Sequence, residues 1–352
     1  MEFRSFANKR LSTFTIATGT SDVMENVLVK IVSGDDFGVG AASPSNVTQE
    51  TVKSIEEFLA KVPKKIIGTD ENDLGALHTR LDSIALGNTA AKAAVDIAIF
   101  DLLSKREKKP LHEFLGGSGR TRMLTDMTIG IETAEVAVKK AANYCRQGFK
   151  ALKIKVGLSL EEDIRRVAAV RDTVGPSIEL RVDANQGYSV EQAIRFVGEM
   201  ATLGVALVEQ PVKAEDLDGL KKVTENSEVA IMADECVKSV LDARRVARAE
   251  AADMINIKLM KSAGLYDAAM INRLAEAAEM PTMVGCMGEL QVSIAAGLHF
   301  ALSSENVKFA DLDSHLNVAH DPSSGLVLRD GYLVAPKKPG LGVRTPLDAP
   351  SQ

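Results

Sequence analysis

The sequence predicts a (β/α) barrel joined to a separate α+β domain, on three observations. Lys155, Asp183, Glu209, Asp234, Lys258, Gly285 and Asp311 recur at intervals of 28, 26, 25, 24, 27 and 26 residues, about the length of one strand, one helix and two short loops. Most of these residues end or follow an apolar run, so a repeated unit sets a polar group at the same end of each strand, as in a barrel whose chemistry gathers at the strand C-termini. The stretch before Pro110 lacks that rhythm. At 352 residues the chain can hold a barrel of about 200 to 250 residues and a second domain of about 100.

In the first part, residues 10–16 and 26–32 read as strands joined by a Thr/Gly/Ser loop, and Gly34-Asp35-Asp36 reads as a turn before Gly38-Val39-Gly40. Helical patterns follow near 48–62 and 70–85, then a long apolar-periodic stretch from 88 to 103. Pro110 and Gly116-Gly117-Ser118-Gly119 mark a boundary, which places an N-terminal α+β domain at 1–118. The glycine cluster follows no strand and lacks a P-loop lysine, which argues against phosphate binding.

From Asp126 the repeat begins, and the barrel is expected over 119–321. Met127–Gly130 ends a first strand, residues 133–147 are helical, and Gly148 follows as glycine often follows a helix. Ala151–Val156 is a second strand; the helix 161–174 after it carries Ile164, Val167, Ala168, Val170 and Val174 on one face. Ile178–Val182, Val205–Val208, Val229–Ala233, Met254–Ile257, Thr282–Val284 and Val307–Leu312 complete eight strands, the number that closes a barrel. The tail, 322–352, holds two short runs, Gly325–Leu328 and Gly331–Val334, and is expected to return to the first domain.

The composition bounds the function. A formal net charge of −6 with scattered Lys and Arg gives no footprint for nucleic acid or anionic membrane. No apolar run approaches a membrane span, the first ten residues lack the apolar core of a signal peptide, and Cys145, Cys236 and Cys286 lie far apart. The expectation is a cytoplasmic protein acting on a small-molecule substrate, with a homo-oligomer left open.

Asp183, Glu209 and Asp234 end three consecutive strands, so a barrel makes them neighbours. Singly, each could be a helix cap or a solvated acid; together between two lysines they form the hard oxygen set that suits Mg²⁺, with no His/Cys set for zinc. Lys153 and Lys155 share one face of their strand, while Leu152, Ile154 and Val156 share the other. Two lysines inside a closed barrel need an anion for company. Lys258 stands across the barrel from Lys155. Two such amines could remove a proton from one face of a carbon and return it to the other, provided that both have pKa values below the usual lysine range. Asp311 and Asp313 again share a face and could hold a cationic substrate group such as an α-ammonium. His299, His315, His320 and Cys286 have no partner in sequence that supports catalysis.

Lys153-Ile154-Lys155, Asp183-Ala184-Asn185, Glu209-Gln210-Pro211, Asp234-Glu235 and Lys258, in register, resemble the muconate-lactonizing branch (mandelate racemase/muconate lactonizing) of the enolase superfamily. Within it, Asn256-Ile257-Lys258-Leu259-Met260-Lys261, Gly285-Cys286-Met287-Gly288-Glu289 and Asp311-Leu312-Asp313-Ser314-His315 resemble the dipeptide epimerases. The resemblance spans essentially the whole chain. It implies an α/β fold, a modified TIM barrel (β/α)7β with an α+β capping domain made from 1–118 and the returning 322–352. It implies Mg²⁺ on Asp183, Glu209 and Asp234, acid/base roles for Lys155 and Lys258, and substrate contacts from Lys153, Thr128, Asp311 and Asp313. Lys153 would neutralise the substrate carboxylate, Thr128 would lie near the peptide link, and the two aspartates would hold the ammonium.

The implied reaction is epimerisation of a dipeptide at the α-carbon of its C-terminal residue through a metal-stabilised enolate; the alternative is an N-acylamino acid racemase, or another cycloisomerase or dehydratase of the superfamily. Members that look built for alanyl-glutamate carry an arginine in the first capping loop, whereas Thr15–Met24 here has no basic residue. A buried carboxylate without a cation is costly. The expected substrate is therefore L-Ala-L-Xaa with a non-acidic Xaa, and Asp22 with Glu25 leaves a cationic side chain open.

Overall fold

The computed structural model describes residues 1–117 and 119–348. Ser118, on which the boundary between the two domains was drawn, and the last four residues of the tail lie outside the described residues.

The N-terminal part opens with a three-stranded antiparallel sheet of β1 (Glu2–Ile16), β2 (Gly19–Ser33) and β3 (Asp36–Ala42). Helices α1 (Val52–Leu59), α2 (Val62–Ile66), α3 (Leu74–Asp82), α4 (Thr89–Arg106) and α5 (Leu111–Phe114) follow. α4 is buried almost all round and lies hard on β3, where Gly38 and Gly40 leave room for it. A Cβ at Gly38 would stand 1.9 Å from the Ala98 carbonyl oxygen, and one at Gly40 would stand 2.1 Å from that of Ala94.

After β4 (Arg122–Leu124) come β5 (Met127–Ile129), α6 (Ala134–Arg146), β6 (Ala151–Lys155), α7 (Leu160–Val174), β7 (Glu179–Asp183) and α8 (Val190–Thr202). β8 (Leu207–Glu209), α9 (Leu217–Glu225), β9 (Ala230–Ala233), α10 (Val240–Ala249), β10 (Met254–Lys258), α11 (Leu265–Ala277), β11 (Thr282–Gly285), α12 (Gln291–Ser303) and β12 (Val307–Asp311) complete the repeat. Strands β5 to β12 form one parallel sheet in sequence order. A parallel bridge from Thr125 to Ala310 brings its two edges together. The result is the expected (β/α)7β barrel with an α+β cap. The helices start where the chemistry of their first turns dictates: Ser189 and Gln192 form a capping box on α8, and Glu161, Glu162 and Asp163 fill the first turn of α7.

Barrel strands alternate as a closed sheet requires. On β6, Leu152 and Ile154 are fully buried toward the helices, while Lys153 and Lys155 reach the acids inside. Below them an apolar layer of Leu207, Met232, Met254 and Met283 fills the barrel. Arg181 lies in the interior too, bonded through Nη1 to Asp126 Oδ2 at 2.9 Å and stacked over Phe309 at 4.9 Å.

A 3₁₀ turn (Ser314–Asn317) leads to the tail strands β13 (Val327–Arg329) and β14 (Tyr332–Val334). These pair with β4 in a third small sheet. Beyond them Lys30 on β2 donates to the Leu347 carbonyl at 2.6 Å. Among the described residues no helix is long and apolar enough to cross a membrane.

Candidate active site

The polar ends of β6 to β12 meet in a cavity of about 790 Å³ between barrel and cap, a size ordinary for small-molecule sites. Lys155, Asp234, Lys258, Asp311, Asp313 and Thr128 all line it. Asp183 and Glu209 sit beneath, fully buried, because parallel register sets Lys155 beside Asp183 and Asp183 beside Glu209.

Each lysine presses on these acids. Lys155 Nζ is 2.5 Å from Asp183 Oδ2, and Lys258 Nζ is 2.8 Å from Asp234 Oδ2. Lys153 Nζ lies 2.7 Å from both Glu209 Oε2 and Asp311 Oδ2. Lys261, which sequence reasoning passed over, reaches Asp234 Oδ1 at 2.5 Å. Asn256, also missed, donates Nδ2 to Glu209 Oε1 at 2.8 Å. Both come from the Asn-Ile-Lys-Leu-Met-Lys segment. A polar residue two before a strand-end lysine was the available signal for Asn256, since period two puts it on the same face; Lys261 sits in a turn, where no period applies.

The acids fit a divalent cation. One ligand oxygen from each of Asp183, Glu209 and Asp234 lies within 4.8 Å of the others. Glu209 Oε2 is buried without a hydrogen-bond partner of proper geometry, despite its closeness to Lys153. Burial, then the neighbouring charge of Asp183, raises the Glu209 carboxyl to about 7. Glu235, beside Asp234, is raised to about 8 by burial and then by Asp234. Against burial, Lys155 holds the Asp183 carboxyl low and Lys258 holds that of Asp234 low, so the repulsion falls on Glu209 and Glu235, where a cation would relieve it.

Lys258 departs from the expectation of a depressed pKa. Burial works against its charge, but Asp234 and then Glu209 hold it above the usual lysine range. Asp311 is held low against burial, chiefly by Lys153. Asp313 is raised to about 6 by burial and by Asp311. Its Oδ2 accepts the Thr128 backbone N–H at 2.6 Å, which ties β5 to the end of β12. Cys286 also faces this pair, and burial pushes its thiol well up, consistent with no nucleophilic role.

The backbone after two of these acids is left-handed: Asn185 has φ 41° and Gln210 φ 34°, conformations uncommon for these residues. Side chains hold them there. Gln210 Oε1 accepts from Asp234 N at 2.9 Å, and Asn185 Nδ2 donates to Glu235 at 3.1 Å.

Residues 136–349 match the enolase C-terminal domain-like model, and residues 2–116 match the N-terminal domain model of mandelate racemase / muconate lactonizing enzyme. The chain belongs to the mandelate racemase / muconate lactonizing enzyme family. Within that family it is 40% identical over 337 residues, 94% of each chain, to a protein of Clostridium acetobutylicum named L-Ala-D/L-Glu epimerase. It is 32% identical over 338 residues, 94% of this chain and 90% of the other, to a Bacillus cereus protein named N-succinyl-L-Arg/Lys racemase. The dipeptide epimerase of Enterococcus faecalis, solved with Mg and the dipeptide L-Leu-L-Tyr, superposes with a TM-score of 0.95 at 37% identity, over 97% of this chain and 98% of that one. Enzymes of this family similar to the chain are thus isomerases, and the acid trio stands where such a barrel gathers its chemistry.

Proposed function

We propose that the chain is a Mg²⁺-dependent dipeptide epimerase that inverts the α-carbon of the C-terminal residue. The observation that carries the reading is the opposed pair. Lys155 on β6 and Lys258 on β10 stand four strands apart in an eight-stranded barrel, each in contact with an acid of one buried trio. Asp183, Glu209 and Asp234 would hold the cation, whose charge stabilises the negative charge that develops on the substrate carboxylate. Lys153 adds positive charge beneath that carboxylate. A cation on these acids would weaken the hold of Asp234 on the Lys258 ammonium. One lysine then takes the α-proton and the other donates to the opposite face.

Asp311 and Asp313 favour a dipeptide over an N-acylamino acid, a lactone-forming substrate or a dehydration substrate, because only the dipeptide brings an ammonium for them. The cap segment lining the cavity, from Ile16 to Met24, offers no basic side chain. Two other lysines at its wall are engaged, Lys238 with the Val47 carbonyl at 2.9 Å and Lys140 with Glu132. A non-acidic C-terminal residue suits that segment. We divide the chain into a cap of 1–118, a barrel of 119–321 and a tail of 322–352 completing the cap. We infer a cytoplasmic enzyme, monomeric or homo-oligomeric, without a nucleic-acid or membrane partner.

The test is an L-Ala-L-Xaa panel in heavy water with Mg²⁺, followed by NMR and chiral chromatography. Deuterium should enter only the C-terminal α-position as the second epimer forms, and Asp313→Asn should lose dipeptide turnover far more than N-acylamino acid turnover. Faster exchange of N-acylamino acids than of any dipeptide would overturn the reading in favour of the racemase.

A further inference from the structure

Arg10 is a cation that the site does not otherwise use. It comes from β1, where the pairing with β2 breaks between Lys9 and Phe14. Freed from that ladder, the segment is stitched to the loop that follows β12. Arg10 forms an antiparallel bridge with Val318, the Lys9 carbonyl accepts from Ala319 N at 2.9 Å, and Ser12 N donates to Asn317 Oδ1 at 3.0 Å. The guanidinium is therefore delivered to the end of the cavity that holds Asp311 and Asp313, although the residues are some 300 positions apart in sequence.

There it lines the cavity wall. A Cβ on Gly288 would lie 3.2 Å from Arg10 Nη2, so the bare glycine leaves the guanidinium its place. The Phe14 ring lies 5.3 Å from Arg10 Cζ. Nε is buried without a hydrogen-bond partner, and among the described residues no acid stands within salt-bridge distance of the group. Burial lowers its pKa, and the Cys286 sulfur, then Asp313 and Asp22, offset this only through space. A half-buried guanidinium without a counter-ion is costly unless a ligand supplies one, and its planar fork matches a carboxylate.

We infer that Arg10 is a specificity-determining residue that receives a carboxylate on the side chain of the substrate's N-terminal residue, so that dipeptides of the form L-Glu-L-Xaa or L-Asp-L-Xaa are preferred. The inference rests on the dipeptide reading above and adds the N-terminal side chain to it. With the ammonium on Asp311 and Asp313, the side chain beside that ammonium is the one that meets Arg10. The C-terminal side chain faces the cap segment without basic residues.

The test compares kcat/KM for L-Glu-L-Leu, L-Gln-L-Leu and L-Ala-L-Leu with the Mg²⁺-loaded protein. Glutamine matches glutamate in shape and lacks its charge. The Glu/Gln ratio should exceed one in the native protein and fall about 10- to 100-fold in Arg10→Met, the scale of one lost charge-assisted interaction. Arg10→Lys should restore part of it. A ratio of one or less in the native protein, or one unchanged by Arg10→Met, would overturn the assignment and leave the epimerase reading intact. A selective loss on L-Ala-L-Glu would also overturn it, by putting the carboxylate at the other end. Turnover of no dipeptide at all would instead sink the reading beneath it.

Discussion

Gly285 is the one rung of the strand-end ladder without a side chain, and the structure gives the reason in distances. A Cβ there would stand 2.6 Å from Asn256 Oδ1, 2.8 Å from Asn256 Nδ2 and 3.0 Å from Lys258 Cε. Ordinary contact begins near 3.4 Å, so Gly285→Ala must move the Asn256 amide by about 0.8 Å and Lys258 by about 0.4 Å. The strand cannot yield, since Gly285 is in register with Lys258 on one side and Asp311 on the other. Asn256 in turn holds Glu209 Oε1 at 2.8 Å. Overpacking of this kind costs about 1 to 3 kcal/mol of stability, and a misplacement approaching 1 Å costs up to about 100-fold in rate. The loss should be greater for the epimer that Lys258 deprotonates. The assay is α-hydrogen exchange from each epimer in heavy water, with urea unfolding alongside. Native exchange rates from both epimers would refute the claim that the bare rung keeps Lys258 in place.

Two further predictions follow from the buried charges and the cap. Protein stripped with a chelator should be stabilised by added Mg²⁺ by about 2.7 kcal/mol when the ion is at 100 times its dissociation constant. Thermal melting should show this, and Glu209→Gln should remove it; a melting point indifferent to Mg²⁺ would contradict the cation site. His299 on α12 is fully buried, accepts at Nδ1 from His112 N at 3.1 Å and donates Nε2–H to the Leu341 carbonyl at 3.2 Å. Burial depresses its pKa to about 3, so the unfolded chain protonates first as pH falls below about 6.5. Its contribution is present above that pH and drains away by up to about 1.4 kcal/mol per unit toward pH 3. His299→Gln should be less stable than the native protein at pH 7.5, and urea titrations should show that gap closing by about 2 kcal/mol at pH 5. A gap independent of pH would mean that the ring titrates in the folded protein as it does in the unfolded chain.

The barrel was legible because its strands are short apolar runs that each end in a polar residue, and that punctuation survives in a single sequence. The expected acids and lysines converge at one end of the barrel for the same reason, with Lys155, Asp234, Lys258, Asp311 and Asp313 on the cavity and Lys153, Asp183 and Glu209 buried beneath it. The cap was read less fully. β1 and β2 run over Glu2–Ile16 and Gly19–Ser33, well beyond 10–16 and 26–32, because β1 is an outer strand of its sheet whose many exposed polar residues break the apolar signal. The two tail runs were legible as strands β13 and β14, but their pairing with β4 was hidden by distance, since Arg122 pairs with Val334. Arg10 escaped for a related reason. The expected capping loop, Thr15–Met24, is the tip of the β1–β2 hairpin, whereas the guanidinium enters through a break in β1 and a bridge to Val318.

The measurement that bears most directly on two opposed bases is α-hydrogen exchange from each epimer of one dipeptide, in heavy water, by the Lys155→Ala and Lys258→Ala variants with Mg²⁺ present. Each variant should lose exchange from one epimer and keep it from the other, and the two should be complementary. Continued interconversion of the epimers by both variants would contradict the account.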